Sequence, residues 1–290
     1  MVVLVLEIWL DYRKEIVLKA RQSTGATKLL YQAMSLGVDN ISEESLRIDH
    51  KLGTFLTIIG IPSAFLLHGY VGFIFGSIKA NPWWSTPLMP IVFLFSAIVS
   101  GIATVMLMYM AITVVRGGKI DMPCVDTIAR YLMYAFIVDF SLEMLDLIHR
   151  VYEADESFKS LDFMVHTRLY TSQVILQIVI GTIIPIGLLA MTQLIKLTDG
   201  ARKGIYSVAG CLTLIGIFSM RWNVVIGGQL FSKSFLGYTT YKMAFATKEG
   251  LLPALVLMVL PFVILWVLVK LLPPWEEEAP ALSDGPGDGI

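Results

Sequence analysis

"LGTFLTIIGIPSAFLLHGYVGFIFGSI", residues 52–78, holds no Asp, Glu, Lys or Arg. About 20 apolar residues suffice for a helix to cross the roughly 30 Å hydrocarbon layer of a bilayer. This run is longer than that. The stretch from Ala80 to Val115 is again free of charged residues. The chain of 290 residues is 56% hydrophobic and only 16% charged, against about 25% charged in an ordinary soluble domain. A soluble fold is excluded. The expected class is an all-α integral membrane protein, because a helix satisfies its own backbone in lipid.

Outward from that run, six full spans are expected: Leu52–Ile78, Pro87–Val115, Tyr131–His149, Leu169–Ile195, Gly204–Ile226 and Leu251–Leu271. The opening "MVVLVLEIWL" is apolar but too short to cross, so it reads as a partial N-terminal span. The stretch Asp11–Lys51 is polar and mostly helical in pattern. Residues 276–290 are acidic and rich in Gly and Pro, a composition that fails to bury a core and reads as a disordered tail. Residues 1–275 form the transmembrane domain.

With alternating spans, the side holding Asp11–Lys51 receives fourteen Lys and Arg and the opposite side seven, with Arg221 inside a span. The positive-inside rule places the richer side in the cytoplasm. The expected location is the cytoplasmic membrane of a bacterium or archaeon, with membrane lipid as a partner. No basic cluster with interleaved aromatics points to nucleic acid.

Ionisable groups within a span are costly and usually face a bundle interior or a cavity. Here they gather toward the outer side. His68 lies in the outer half of its span. Asp139, Glu143 and Asp146 in "VDFSLEMLDLIHR" are spaced by four and three, which puts them on one helical face. Gln173 and Gln177 open a span that starts on that side, and Arg221 and Asn223 close one that ends there. The pattern predicts one polar cavity near the outer face. The alternative is that groups near span ends, Asp146, His149 and Arg221 above all, simply snorkel to the interface. Gly72 and Gly76 share a face with His68, and small residues at that spacing let a helix or a flat ligand approach the backbone. "NPWWSTP", residues 81–87, reads as an interfacial turn, with Trp83 and Trp84 at headgroup level and Pro82 and Pro87 bounding it.

Cys124 and Cys211 stand in no CxxC or CxxCH pattern, so an intrinsic iron–sulfur cluster or c-type haem is not expected. Of the four histidines, His50, His149 and His166 lie near loops, and no pair shares a span at a depth suited to b-type haem.

"LLHGYVGFIFGSIKANPWWSTPLMPIVFLFSAIVSG", "VDFSLEMLD" and "MRWNVVIGGQ" resemble the NrfD/PsrC family of membrane quinone-reactive subunits, closest to the branch of hydrogenase anchors and DsrP-like subunits. The resemblance implies a membrane subunit that binds menaquinone or ubiquinone near the outer face. It implies partners too: a ferredoxin-like iron–sulfur subunit and further redox subunits of a respiratory complex. It also implies that the chain lacks N-terminal spans of the family. It carries His68 over as the histidine near the quinone and Asp139 and Glu143 as an acidic pair that relays protons. His68, Gly72, Gly76, Gln177, Arg221 and Asn223 would bind the quinone. Two other classes fit the residues: a proton-coupled transporter, for which Pro185 and Pro261 interrupt spans, and a structural anchor with a degenerate quinone site.

Overall fold

Long apolar segments in lipid have one local way to pair their peptide groups, and the chain takes it. A computed structural model describes residues 2–152, 158–231, 239, 244–247 and 250–273. In chain order the elements are α1 (Val2–Gln22), α2 (Ala26–Met34), α3 (Glu43–Gly76), α4 (Met89–Val115), α5 (Met122–Tyr152), α6 (Phe158–Thr167), a π-helix π1 (Tyr170–Ile183), α7 (Ile184–Leu194), α8 (Asp199–Gln229) and α9 (Leu251–Leu271). Among the described residues, five helical stretches are long and apolar enough to cross a membrane: α3, α4, π1 with α7, α8 and α9. The sixth expected span, Tyr131–His149, is helical throughout as part of α5. Its three carboxylates set it apart in composition. The opening run does not stop near residue 10 but continues as α1 to Gln22. The acidic tail lies outside the described residues.

The chain divides into two units, residues 1–62 with 242–290, and residues 63–241. In the first, Arg13 is only 1% exposed. It pairs with Asp49 and donates to the Asn40 carbonyl at 2.9 Å and to Ser45 Oγ at 2.7 Å. The charge is thus buried with its hydrogen-bonding capacity met, the condition for tolerating it. Trp9 Nε1 donates to the Met34 carbonyl at 2.8 Å, tying α1 to α2. The α9 helix has no buried residue, as expected of a helix whose flanks face lipid.

The second unit is built around α8. Thr198 caps its start, Oγ1 accepting from the Ala201 N–H at 3.4 Å. Gly181 of π1 and Gly216 of α8 meet backbone to backbone: a Cβ on Gly216 would lie 2.5 Å from the Gly181 Cα. Ser219 Oγ donates to the Ser172 carbonyl at 2.6 Å across the same seam. On the inner side α4, α5, α7 and α8 enclose a dry layer that includes Val99, Met106, Leu132, Phe136 and Leu189. Toward the inner end of that layer, Tyr206 donates to Asp126 at 2.8 Å and Arg202 pairs with Asp126 and Asp199. The π1 segment passes into α7 at Pro185, which sits in the first turn of α7, where its missing N–H costs least.

The turn 81–87 is not a free interfacial loop. Trp83 is buried, and its Nε1 donates to the Asn223 carbonyl at 2.9 Å. Trp84 Nε1 donates to the Val224 carbonyl at 2.6 Å, and Asn81 Nδ2 to the Gly228 carbonyl at 2.9 Å. The indoles occupy the space that side chains at Gly227 and Gly228 would fill. The outer end of α8 is therefore clamped by the α3–α4 turn.

Candidate functional site

That clamp forms one wall of a cavity of about 380 Å³ at the outer end of the second unit. The size falls within the roughly 300–1,000 Å³ of small-molecule sites. Five pieces of chain contribute: the turn with Trp83 and Thr86, the first half of α4, the outer half of α5, α6 and π1 together, and the end of α8. Met89, Val92, Leu147, Val174, Met220 and Val224 make much of the wall apolar. The polar groups among them form linked sets.

Glu143 of α5 faces Gln177 of π1, whose Nε2 lies 3.4 Å from each carboxylate oxygen. Gln177 Oε1 in turn accepts from Asn223 Nδ2 of α8 at 2.9 Å. Asn223 is fully buried, and its Oδ1 has no hydrogen-bond partner among the described residues; the same is true of the buried Gln173 Oε1. Thr86 Oγ1 donates to Asp146. At the α6 wall, His166 Nδ1 lies 3.1 Å from Asp162 Oδ1, both side chains exposed to water. Three side chains from three helices thus form a buried chain that ends in an acceptor unpaired among the described residues. A buried polar atom left unpaired costs about 1–3 kcal/mol, so this place is built for something more than packing.

The π1 helix sets this register. A π turn inserts one extra residue and is associated with functional sites. Thr182 Oγ1 reaches back five residues to the Gln177 carbonyl at 2.9 Å. Gln177, Gly181 and Thr182 are the buried residues of π1, so the same face carries both the contact to Glu143 and the glycine that meets α8.

The structure distributes the residues expected from sequence as follows. Glu143, Gln177 and Asn223 line the cavity together. Asp139 lies one turn further in on α5, 2% exposed, with Oδ1 unpaired among the described residues. Arg221 interacts electrostatically with Asp139, donates to Ser96 Oγ at 3.4 Å and stands 5.9 Å from the Phe93 ring centre. These two lie behind the wall rather than in it. His68 is half-buried on α3, its Nδ1 2.9 Å from the Ala64 carbonyl, and is not part of the lining. Gly72 and Gly76 receive the turn: a Cβ on either would come within 2.7 Å of the Met89 or Thr86 carbonyl oxygen. They admit a neighbouring backbone at that place.

Thr86, Asp162 and His166 line the cavity although sequence pattern alone does not single them out, and Asp146, which by position could snorkel, lines it too. Asp162 and His166 carry a signal, a carboxylate and an imidazole four apart on a short helix. Their nearness to a loop conceals it. No group of His, Cys, Asp and Glu suited to a metal ion occurs among the described residues.

A family model described as "Polysulphide reductase, NrfD" matches residues 1–233, ending short of α9. A membrane-complex relative, one of the selenate reductase subunits of Mesobacillus selenatarsenatis, is 29% identical over 236 residues. The match takes in 78% of this chain and 52% of that protein, so the chain spans about half the length of the curated relative it matches.

Proposed function

Because the chain belongs to the NrfD polysulphide reductase family, we propose that it is the quinone- or quinol-binding membrane subunit of a respiratory oxidoreductase complex. In this reading it exchanges electrons between a partner iron–sulfur subunit and menaquinone or ubiquinone in a bacterial or archaeal cytoplasmic membrane. The likeness to a selenate reductase subunit supports a terminal reductase as the rest of the complex.

The observation that carries the proposal is the cavity itself, with apolar walls and the Glu143–Gln177–Asn223 chain. A quinone ring needs flat apolar walls and a polar partner at its oxygens. The unpaired Asn223 Oδ1 and Gln173 Oε1 fit a ligand with hydrogen-bonding oxygens better than a pure hydrocarbon. When bound, a quinone supplies the two-electron, two-proton couple. The residues of this chain do the rest. Glu143 holds or takes a proton at its carboxylate. Gln177 and Asn223 fix the orientation of that carboxylate. Asp162 and His166, at the water-facing wall, exchange protons with the outer aqueous phase. The apolar walls exclude bulk water. Asp139 and Arg221 set the field behind Glu143. This geometry supports Glu143 ahead of His68 as the proton-handling group.

The test is Glu143→Gln in the assembled complex. Quinone-linked turnover should fall about 10²–10⁴-fold, the range for loss of a positioned acid or base. Dye-linked turnover of the partner subunits should persist. Normal quinone-linked turnover in an assembled variant would remove the cavity from the reaction.

A further inference from the structure

The Glu143–Gln177–Asn223 chain has a direction. Asn223 Nδ2 donates to Gln177 Oε1, and Gln177 Nε2 presents its donors to both oxygens of Glu143. The two ends of an amide are distinguished by the partners they meet. An ionised carboxylate only accepts, so an ionised Glu143 fixes Gln177, and Gln177 fixes Asn223. What is left over is an acceptor, Asn223 Oδ1, and beside it the unpaired acceptor of Gln173. Donors of the wall are already engaged: Trp83 Nε1 with the Asn223 carbonyl and Thr86 Oγ1 with Asp146. An oxidised quinone offers two acceptor oxygens. Its reduced form offers two O–H donors.

We propose that this chain makes the cavity select the reduced, dihydroxy form of its ligand while Glu143 is ionised, and that protonating Glu143 releases the selection. The proposal rests on the reading that the cavity holds a quinone. A protonated Glu143 gains an O–H donor. Both amides then turn over together, Gln177 Oε1 toward Glu143 and Asn223 Nδ2 toward the ligand. The charged and titratable groups around this chain are Asp139 and Asp146 on α5, Asp162 and His166 on α6 and Arg221 on α8; α4 and π1 bring none.

Menadiol and menadione, a tail-free naphthoquinone pair, test it by equilibrium dialysis against the purified complex under anaerobic conditions. At alkaline pH menadiol should bind about tenfold more tightly, the difference made by one well-placed hydrogen bond to a buried acceptor. The ratio should approach one as pH falls. In Glu143→Gln, whose amide both donates and accepts, it should be near one throughout. Infrared difference spectra should show a protonated carboxyl appearing with menadione and not with menadiol. Equal affinities in the native protein at every pH, or a preference unchanged in Glu143→Gln, would overturn the proposal while leaving the site standing. Binding of neither probe, or binding unaffected when Val224→Trp fills the cavity, would overturn the site reading with it.

Discussion

At the scale of single residues, two titratable groups compete for the role of proton carrier, and their positions separate them. Glu143 lines the cavity; His68 is half-buried on α3 and spends Nδ1 on its own helix. His68→Ala should therefore lower quinone-linked turnover by less than about tenfold, well short of what loss of a positioned base produces. A fall as deep as that of Glu143→Gln would return His68 to the centre of the reaction. Glu143, Gln177 and Asn223 could be read from the sequence because lipid makes each intramembrane polar group expensive, so its presence alone is a signal. His166 and Asp162 could not. Near water an ionisable residue costs nothing, and only tertiary packing shows which loop residues turn toward a cavity. Arg13 shows the same limit. It sits among polar residues in sequence, yet it is buried against Asp49. Arg13→Ala should leave that carboxylate without its cation and cost about 3–5 kcal/mol, seen as a lower unfolding midpoint in detergent. An unchanged midpoint would mean the pair is dispensable.

Among the elements, π1 is the one whose form the sequence concealed. The run Leu169–Ile195 reads as a plain span, and its apolar content is the same whether the turns are α or π. The extra residue per turn changes which residues share a face, and that depends on the neighbour. Here the neighbour is α8, met at Gly181 and Gly216. Gly216→Val would force the two backbones apart. Overpacking of this kind costs about 1–3 kcal/mol, and it would also pull Gln177 from Asn223. The expected result is a lower melting temperature together with loss of naphthoquinone binding. A variant that kept both would show that the seam is not what sets the register of π1. The tryptophan turn had a partial signature: its Trp and Pro residues marked a turn, but nothing in "NPWW" shows that the indoles pack onto Gly227 and Gly228 of α8.

For the whole molecule, the helical membrane class and the gathering of polar groups at one end followed from charge-free runs and from where those runs are interrupted. The number of spans was less legible, because α5 carries the carboxylates of the site and so resembles a water-facing helix in composition. Orientation is testable by labelling. In a Cys124→Ser, Cys211→Ser background, Thr167→Cys should react with an impermeant thiol reagent from outside the cell, and Ser42→Cys only after the membrane is opened. The reverse pattern would turn the site to the inner face. The dry layer of Val99, Met106, Leu132, Phe136 and Leu189 then acquires an electrical meaning. It is the insulating slab of a capacitor, and most of the transmembrane voltage falls across it. A unit charge that crosses the full potential changes energy by about 2.3 kcal/mol per 100 mV, whereas a proton moving between the outer water and Glu143 crosses little of it. Proton exchange at the cavity should therefore be indifferent to an imposed membrane potential, and any voltage dependence of turnover should arise from electrons that enter from the opposite side of that slab.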